Sequence, residues 1–487
     1  MADRRSSRSL SSRSLEIAIV AVVAVAYATI LTTAKFNVFF PKNYGLVFNS
    51  MLEHMLAGRF DIDPAVVADE GYFRNGLTYS YWGVLCAFLR LPLLLFPNGL
   101  KTDVTVLSCC IAASLAAAAK IHGLFWLRRH TGQTPRAWLL FLCLLAQFVV
   151  GGPLVANLAP SIYSEPIFWA YALAALFVVG AVQGLVLGRF STARMAWLAL
   201  FAALCLLART ATGTGLYAAL AVLWLAQIRP ALRARTVAPL LVAALIAASA
   251  IVATGIVNAG RWGSPLTGQD LSGYVMLHKY PEGVGVLARH GMMSLARIPM
   301  ALQYYFAPIW PLPAANGGLL LAAAERDLFY TVELPPSSLL LTDLLPILLG
   351  LLLVRELLAG RTPFPRWTTL ALSASLLAPA GVVLIYWALT NRYRIEFAPA
   401  LDAVSLLAVA LPQIQRSLTA TAGRALLLAA VTLVSVGATL ATLVLFRLAF
   451  YGDIHEILKP NFNAFYQSRY RNVARDLGLD LPFSRQR

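Results

Sequence analysis

Runs of apolar residues long enough to cross a lipid bilayer recur throughout this chain of 487 residues, and they decide what it can fold into. A helix needs about 20 such residues to span the hydrocarbon core. Eleven candidate spans lie near 16–34, 104–127, 137–153, 163–187, 195–210, 212–228, 237–258, 338–355, 367–389, 397–414 and 425–448. Only 13% of the residues are charged, about half the share found in soluble domains. So few charges cannot cover a soluble surface of this size. The expected fold is an all-α polytopic membrane protein with about eleven transmembrane helices.

A further run, 82–97, is short, carries Arg90 at its middle and is broken by Pro92 and Pro97. Orientation decides how to read it, because short cytoplasmic loops collect Lys and Arg. Six basic segments alternate with the spans. They hold Arg4, Arg5, Arg8 and Arg13; Arg128, Arg129 and Arg136; Arg189 and Arg194; Arg229, Arg233 and Arg235; Arg355, Arg361 and Arg366; and Arg416 and Arg424. If 82–97 crosses the membrane, the last five segments fall outside. If it lies at the interface or dips in shallowly, all six face the cytoplasm. The second reading predicts a basic cytoplasmic N-terminus at 1–15, a membrane domain at 16–448 and a periplasmic tail at 449–487. Two long outer loops follow, 35–103 and 259–337, whereas every inner connection is too short to hold a nucleotide-binding domain.

The net charge of +17 would suggest nucleic acid in a soluble protein. Here the basic residues alternate with spans, so they set topology and no nucleic acid partner is expected. The N-terminus resembles a signal peptide but lacks a clear small-residue cleavage site, which favours a retained anchor. Cys86, Cys109, Cys110, Cys143 and Cys205 all lie in apolar runs without metal-ligand spacing and read as packing residues. Arg outnumbers Lys 33 to 6, a bias that suggests a GC-rich bacterial genome.

Loop one has helical periodicity over 44–57, with Phe48, Met51, Leu52, Met55 and Leu56 on one face and a stop at Gly58. Asp61, Asp63, Asp69 and Glu70 follow, close to Tyr72, Tyr79, Tyr81 and Trp82. Carboxylates beside aromatics suit sugar binding and proton abstraction; a solvated loop with Asp63 capping a turn before Pro64 is the plainer alternative. Polar residues within spans are costly and tend to face a cavity. Glu165 opens a span, Arg209 sits where two short apolar segments meet, and Arg392, Arg394, Glu396 and Asp402 border the ninth and tenth spans. Their arginines could hold a lipid phosphate through forked hydrogen bonds, or simply pair with the nearby acids. Lys120 and His122 are expected to snorkel toward the inner surface. In loop two, Asn258, Arg261, Gly263, Ser264 and Pro265 predict a structured turn, and 289–308 predicts an interfacial helix over the cavity mouth.

Three segments carry a resemblance: GRFDIDP…EGYFRNGLTYSYWGVLCAFLRLPLLLF, NAGRWGSPLTG and NRYRIEFAPALDAVSLLA. In this order, over about 35–415, they resemble the GT-C superfamily of integral-membrane glycosyltransferases, with protein mannosyltransferases and the lipid A aminoarabinose transferase as distant relatives. The resemblance implies an enzyme of the bacterial inner membrane that takes a sugar from a polyprenyl-phosphate donor. The acceptor would be an envelope glycan, lipid or protein on the outer face. It implies a catalytic carboxylate in loop one, which Asp61, Asp63 or Glu70, or else Glu53, would supply unless the chain is no longer catalytic. Asn43, Arg74, Tyr79, Tyr81, Glu165, Arg209, Arg261, Tyr393 and Arg394 would bind substrate or phosphate. No cofactor is required, a divalent cation is optional, and the scattered His54, His278, His290 and His455 form no metal set.

Two departures stand against the family pattern. The Asp expected about fifteen residues before Gly58 is Asn43, and an amide cannot act as a carboxylate base. The Lys-Pro that binds lipid phosphate in some relatives is replaced by GLTYSYWG, leaving Arg74 or Arg394 as substitutes. A flippase of lipid-linked glycans and a non-catalytic envelope-assembly protein stay open as alternatives. The first would be expected to show repeated halves, and residues 1–240 and 241–487 show none.

Overall fold

Within a bilayer each backbone N–H and C=O has to be satisfied by protein, which favours continuous helices. The computed structural model of the chain describes residues 3–131, 137–151, 160–269, 271–279, 282–307, 328–332 and 338–450. Helix α1 (Asp3–Leu31) leads into loop one, which holds helix α2 (Val47–Leu56) and a hairpin of β1 (Tyr72–Arg74) and β2 (Leu77–Tyr79). Six helices follow: α3 (Thr105–His130), α4 (Ala137–Val150), α5 (Ser164–Leu187), α6 (Thr192–Ala208), α7 (Thr210–Arg233) and α8 (Ala238–Trp262). Beyond loop two come α9 (Leu344–Leu358), α10 (Arg366–Ile385), a 3₁₀ segment Asn391–Phe397, α11 (Ala398–Val409), α12 (Pro412–Thr419) and α13 (Ala422–Phe450). The chain is a helical multi-pass membrane protein.

Each expected apolar run coincides with a helix, but the helices are unequal. Seven are long and apolar enough to cross a bilayer: α1 from Arg13, α3, α5, α7, α8, α10 and α13 up to Val444. Helices α4, α6 and α9 have 14, 17 and 15 residues. At about 1.5 Å per residue they fall short of the roughly 30 Å core. The expected tenth span bends by 85° between Asn391–Val409 and Pro412–Thr419, where Pro412 cannot continue the α11 hydrogen bonding. The run at 82–97 becomes a short helix Leu85–Phe88 and a 3₁₀ turn Leu91–Leu95. It is too short to span, with Leu94, Leu95 and Phe96 exposed while Arg90 is buried.

Small side chains let the central helices approach. Ala112, Ala113, Ala116 and Ala117 of α3 and Ala170, Ala174 and Ala175 of α5 are buried where these two helices pack. Inside lipid, close backbone approach supplies the dispersion contact that hydrophobic burial cannot. Gly123 is the tightest point, since a Cβ there would stand 2.8 Å from Val179. Helix α6 packs on α5, α7 and α8, α7 on α10, and α9 on α11. All five cysteines are buried free thiols.

At one end of the bundle, Glu16 of α1 accepts from Arg129 at 2.7 Å and lies 2.7 Å from His122, joining α1 to the C-terminal part of α3. His122 is half exposed as expected. Lys120 is not: it is only 3% exposed, with its ammonium over the rings of Phe148 and Tyr171. The expectation that it snorkels is therefore corrected.

Loop one is built on α2, whose Val47, Phe48, Met51 and Leu52 are buried against Ile62, Val67, Trp82 and Ile162. The helix starts at Val47 rather than 44 because Tyr44 has φ +61° and Gly45 is pressed against Asp103. Gly58, at φ +75°, ends it as expected. In loop two, α8 runs on to Trp262 and is capped by Gly263 at φ +82°. The expected 289–308 helix is confined to Ile298–Phe306. Gly291 turns with φ +63°, and Arg297 is fully buried, donating to the carbonyls of Gly291, Met292, Leu328 and Ile385. Of the expected periplasmic tail 449–487, the residues after Phe450, His455 among them, lie outside the described residues, as does Arg136.

Candidate active site

The acids of loop one separate onto two sides. Asp61 and Asp63 line a cleft of about 670 Å³ with Glu53, His54, Arg59 and Lys101. Asp61 is already engaged there, 3.1 Å from His54 Nδ1 and 3.6 Å from Arg59 Nε. Asp63 caps the short helix Pro64–Val67, accepting from the Ala65 N–H at 2.9 Å, with Pro64 at the first helical position. That is the geometry of a helix-capping residue, the plainer of the two expectations for Asp63. Asp63→Ala is expected to lower stability by about 1 kcal/mol and to leave turnover unchanged, as thermal melts and transfer assays on one preparation would read.

Directly after this helix Ala68 takes φ +43°, a conformation few side chains favour, and the chain turns. Glu70 is thereby buried away from the cleft-lining acids. It accepts a 2.8 Å hydrogen bond from the Tyr274 hydroxyl, and Tyr163 lies close enough to feel its charge. Burial, and after it the charge of Glu70, pushes both phenols far above their ordinary value. Both phenols therefore stay protonated, and Tyr274 donates to the carboxylate.

The hairpin supplies one wall. Tyr72 pairs across it with Tyr79. Tyr72 stacks on Tyr274 at 4.7 Å and meets Trp262 edge-on at 5.6 Å. Tyr79 lies 6.0 Å from Trp262, and Tyr81 stacks on Trp82 at 4.5 Å. The segment after α10 packs against the same aromatic cluster, with Tyr386 edge-on to Tyr393 at 5.8 Å.

Two arginines lie over tyrosines of this region. The guanidinium of Arg392 lies 5.1 Å over the ring of Tyr163 and 5.9 Å over that of Tyr393. Arg209 lies 5.1 Å over the Tyr393 ring from the other direction. Cation–ring contacts therefore run from Tyr163, beside Glu70, through Arg392 and Tyr393 to Arg209. Arg209 is the extended residue, φ −155° and ψ 112°, that separates α6 from α7. Its Nε donates to fully buried Glu396 at 2.5 Å, and Thr212 donates to the other oxygen at 2.8 Å. Among the described residues no group of three or more His, Cys, Asp or Glu side chains converges as a metal site.

Glu70, Tyr81, Arg209 and Tyr393 are thus brought together, with Tyr79 in the wall. Four other candidates for substrate contact have internal partners. Glu165 is fully buried and takes a two-pronged pair from Arg90, at 2.6 and 2.8 Å. Arg261 is buried and donates to the Trp82 carbonyl at 2.8 Å, tying α8 to loop one. Arg394 is buried against Thr342 and Asp343, the latter at 3.2 Å. Arg74 donates to the Arg261 carbonyl at 2.9 Å and braces the hairpin on the end of α8. Asn43 stands exposed in the turn before α2. Sequence reasoning missed Tyr163, Tyr274 and Tyr386 and did not rank Arg392 as a site residue. Tyr163 lies two residues from Glu165, a usable signal, but nothing in the spacing links Tyr274 to a carboxylate 204 positions away.

Fold and site together define a helical multi-pass membrane protein with a carboxylate, two arginines and a ring of tyrosines gathered at one end of its bundle. Among solved structures, the chain is similar to the archaeal oligosaccharyltransferase AglB from Archaeoglobus fulgidus in complex with an inhibitory peptide and a dolichol-phosphate. Identity is 14% and the TM-score 0.46, over 94% of this chain and 59% of that one. It is similar also to the Archaeoglobus fulgidus oligosaccharyltransferase in the apo form (14%, TM-score 0.46, 93% and 59% covered). The form tethered to an acceptor peptide with the NVT sequon gives 15%, TM-score 0.43, 88% and 55% covered. The chain spans less than two thirds of the length of these structures. No family model and no curated protein matches it.

Proposed function

We propose that this chain is a glycosyltransferase of the GT-C type that moves a sugar from a polyprenyl-phosphate donor to a glycan, lipid or protein acceptor. The observation that carries the reading is a buried carboxylate, Glu70, held by Tyr274 and close to Tyr163, with Arg392 over the Tyr163 ring and Arg392 and Arg209 over that of Tyr393. Glu70 takes the proton from an acceptor hydroxyl as that oxygen attacks the anomeric carbon. The bond from this carbon to the phosphate oxygen breaks, and the lipid phosphate leaves with its electron pair. Arg392 and Arg209 receive the negative charge on the departing phosphate. Tyrosine and tryptophan faces give the apolar sides of a sugar ring a surface to lie against. In this reading the site lies on the outer, periplasmic face of a bacterial inner membrane, with the N-terminus cytoplasmic. A divalent cation is optional, because phosphate already leaves readily and arginines supply charge.

Arg392→Ala tests the reading most directly, since Arg392 is half-buried and lies over the rings of both Tyr163 and Tyr393. Transfer from a panel of radiolabelled polyprenyl-phosphate sugars, assayed in proteoliposomes, is expected to fall by about 10²-fold with unchanged insertion. Unchanged transfer in that variant, or lipid translocation without transfer in the unaltered protein, would overturn it.

A further inference from the structure

Lys120 presents a problem that the transfer site does not solve. It lies in α3, 97% buried, and its ammonium makes no hydrogen bond or ion pair with any described residue. Two aromatic faces lie near it, Phe148 at 5.1 Å and Tyr171 at 5.2 Å. A buried ammonium needs acceptors as well, because losing water's hydrogen bonds costs several kcal/mol. Gln147, on α4, poses the complementary problem. Its amide nitrogen donates to the Thr342 carbonyl at 2.8 Å, whereas its Oε1, in a residue 2% exposed, has no partner among the described residues.

Both residues line one small cavity. Phe148, Asp343, Pro346, Ala398, Leu401 and Asp402 complete its wall, and its volume is about 10 Å³. That is the space that a single water occupies, and too little for a larger guest. The wall offers a donor, Lys120, and acceptors in Gln147 Oε1 and the carboxylates of Asp402 and Asp343. A buried water usually makes about three such bonds. Asp402 is held in place by the Tyr171 hydroxyl at 3.0 Å, and Asp343 by Thr342 at 2.7 Å.

We propose that this cavity is a binding site for one ordered water molecule, which accepts from Lys120 Nζ and donates to Gln147 Oε1 and an aspartate. The bridge joins α3, α4 and α11 within the bundle. It also bears on the transfer site at one remove, because Asp343 holds Arg394, two residues after Arg392 and next to Tyr393. The water site stands independently of the proposed reaction.

A cryo-electron microscopy map of the full chain in nanodiscs, at a resolution that shows ordered water, tests it. A single density peak within hydrogen-bonding distance of both Lys120 Nζ and Gln147 Oε1 is the expected result. Direct contact of Lys120 with Asp402 or Asp343 and no peak between them would overturn the proposal. So would a peak that strengthens when potassium in the buffer is replaced by thallium, which marks a metal ion. Gln147→Met, of similar length and without the acceptor, is expected to lose the peak and to melt several degrees lower. A peak of equal occupancy in that variant would equally overturn the assignment.

Discussion

Glu70→Gln is expected to reduce sugar transfer by about 10²–10⁴-fold, the usual contribution of a general base, while the protein inserts and melts as before. The amide is nearly isosteric, and its oxygen can still accept from Tyr274. What it cannot do is take up the acceptor's proton. Asp61→Asn is the control from the same loop, because Asp61 is directed to His54 and Arg59 instead of the aromatic basin. Its transfer rate is expected to stay within a few-fold of the unaltered protein. Measuring kcat and KM for both variants on one labelled donor separates the two acids. Equal losses would mean that loop one acts only as a folded unit, and a silent Glu70→Gln would remove the carboxylate from the mechanism.

The largest effect on stability is expected at the pair of Arg90 and Glu165. Glu165 at the start of α5 is fully buried, and Arg90 is 1% exposed. Arg90 spends all three guanidinium nitrogens inside the protein: Nη1 and Nη2 on Glu165, Nε on Asn49 at 3.1 Å. Removing one partner leaves a buried charge without its counterpart, at a cost of about 3–5 kcal/mol. Glu165→Ala and Arg90→Met should each lower the melting temperature sharply in detergent. The double variant Arg90→Met/Glu165→Leu should recover much of that loss, since an apolar pair of similar volume avoids desolvating two charges. Additive losses in the double variant would show that the ion pair itself is not what holds α5 to loop one. The same experiment bears on function, because Arg90 and Asn49 join the segment at 82–97 to α2, and both belong to the loop that presents Glu70.

Much of the fold was legible because hydropathy and helical period are local properties. The apolar runs, the α2 face with Phe48, Met51 and Leu52, the stop at Gly58 and the break at Arg209 all follow from neighbouring residues. The unequal helix lengths were less legible: a window of hydropathy does not register the 85° bend at Pro412 that ends α11. Among the acids, the capping role of Asp63 could be read from the Pro that follows it. The separation of Glu70 from Asp61 could not, since it depends on the turn at Ala68 and on tyrosines contributed by loop two and by the start of α5.

By itself, then, the sequence determined a polytopic helical membrane protein with two long loops and a short list of polar residues worth explaining. Only the tertiary structure decided which of those residues face a common basin and which hold the molecule together. Arg90 reaches Glu165 across 75 positions, Arg209 reaches Glu396 across 187, and Tyr171 reaches Asp402 across 231. Charges and hydroxyls enclosed by apolar helices are stable only with partners at the same level of the bundle. That level is set by how the helices pack, and sequence separation carries almost no information about it.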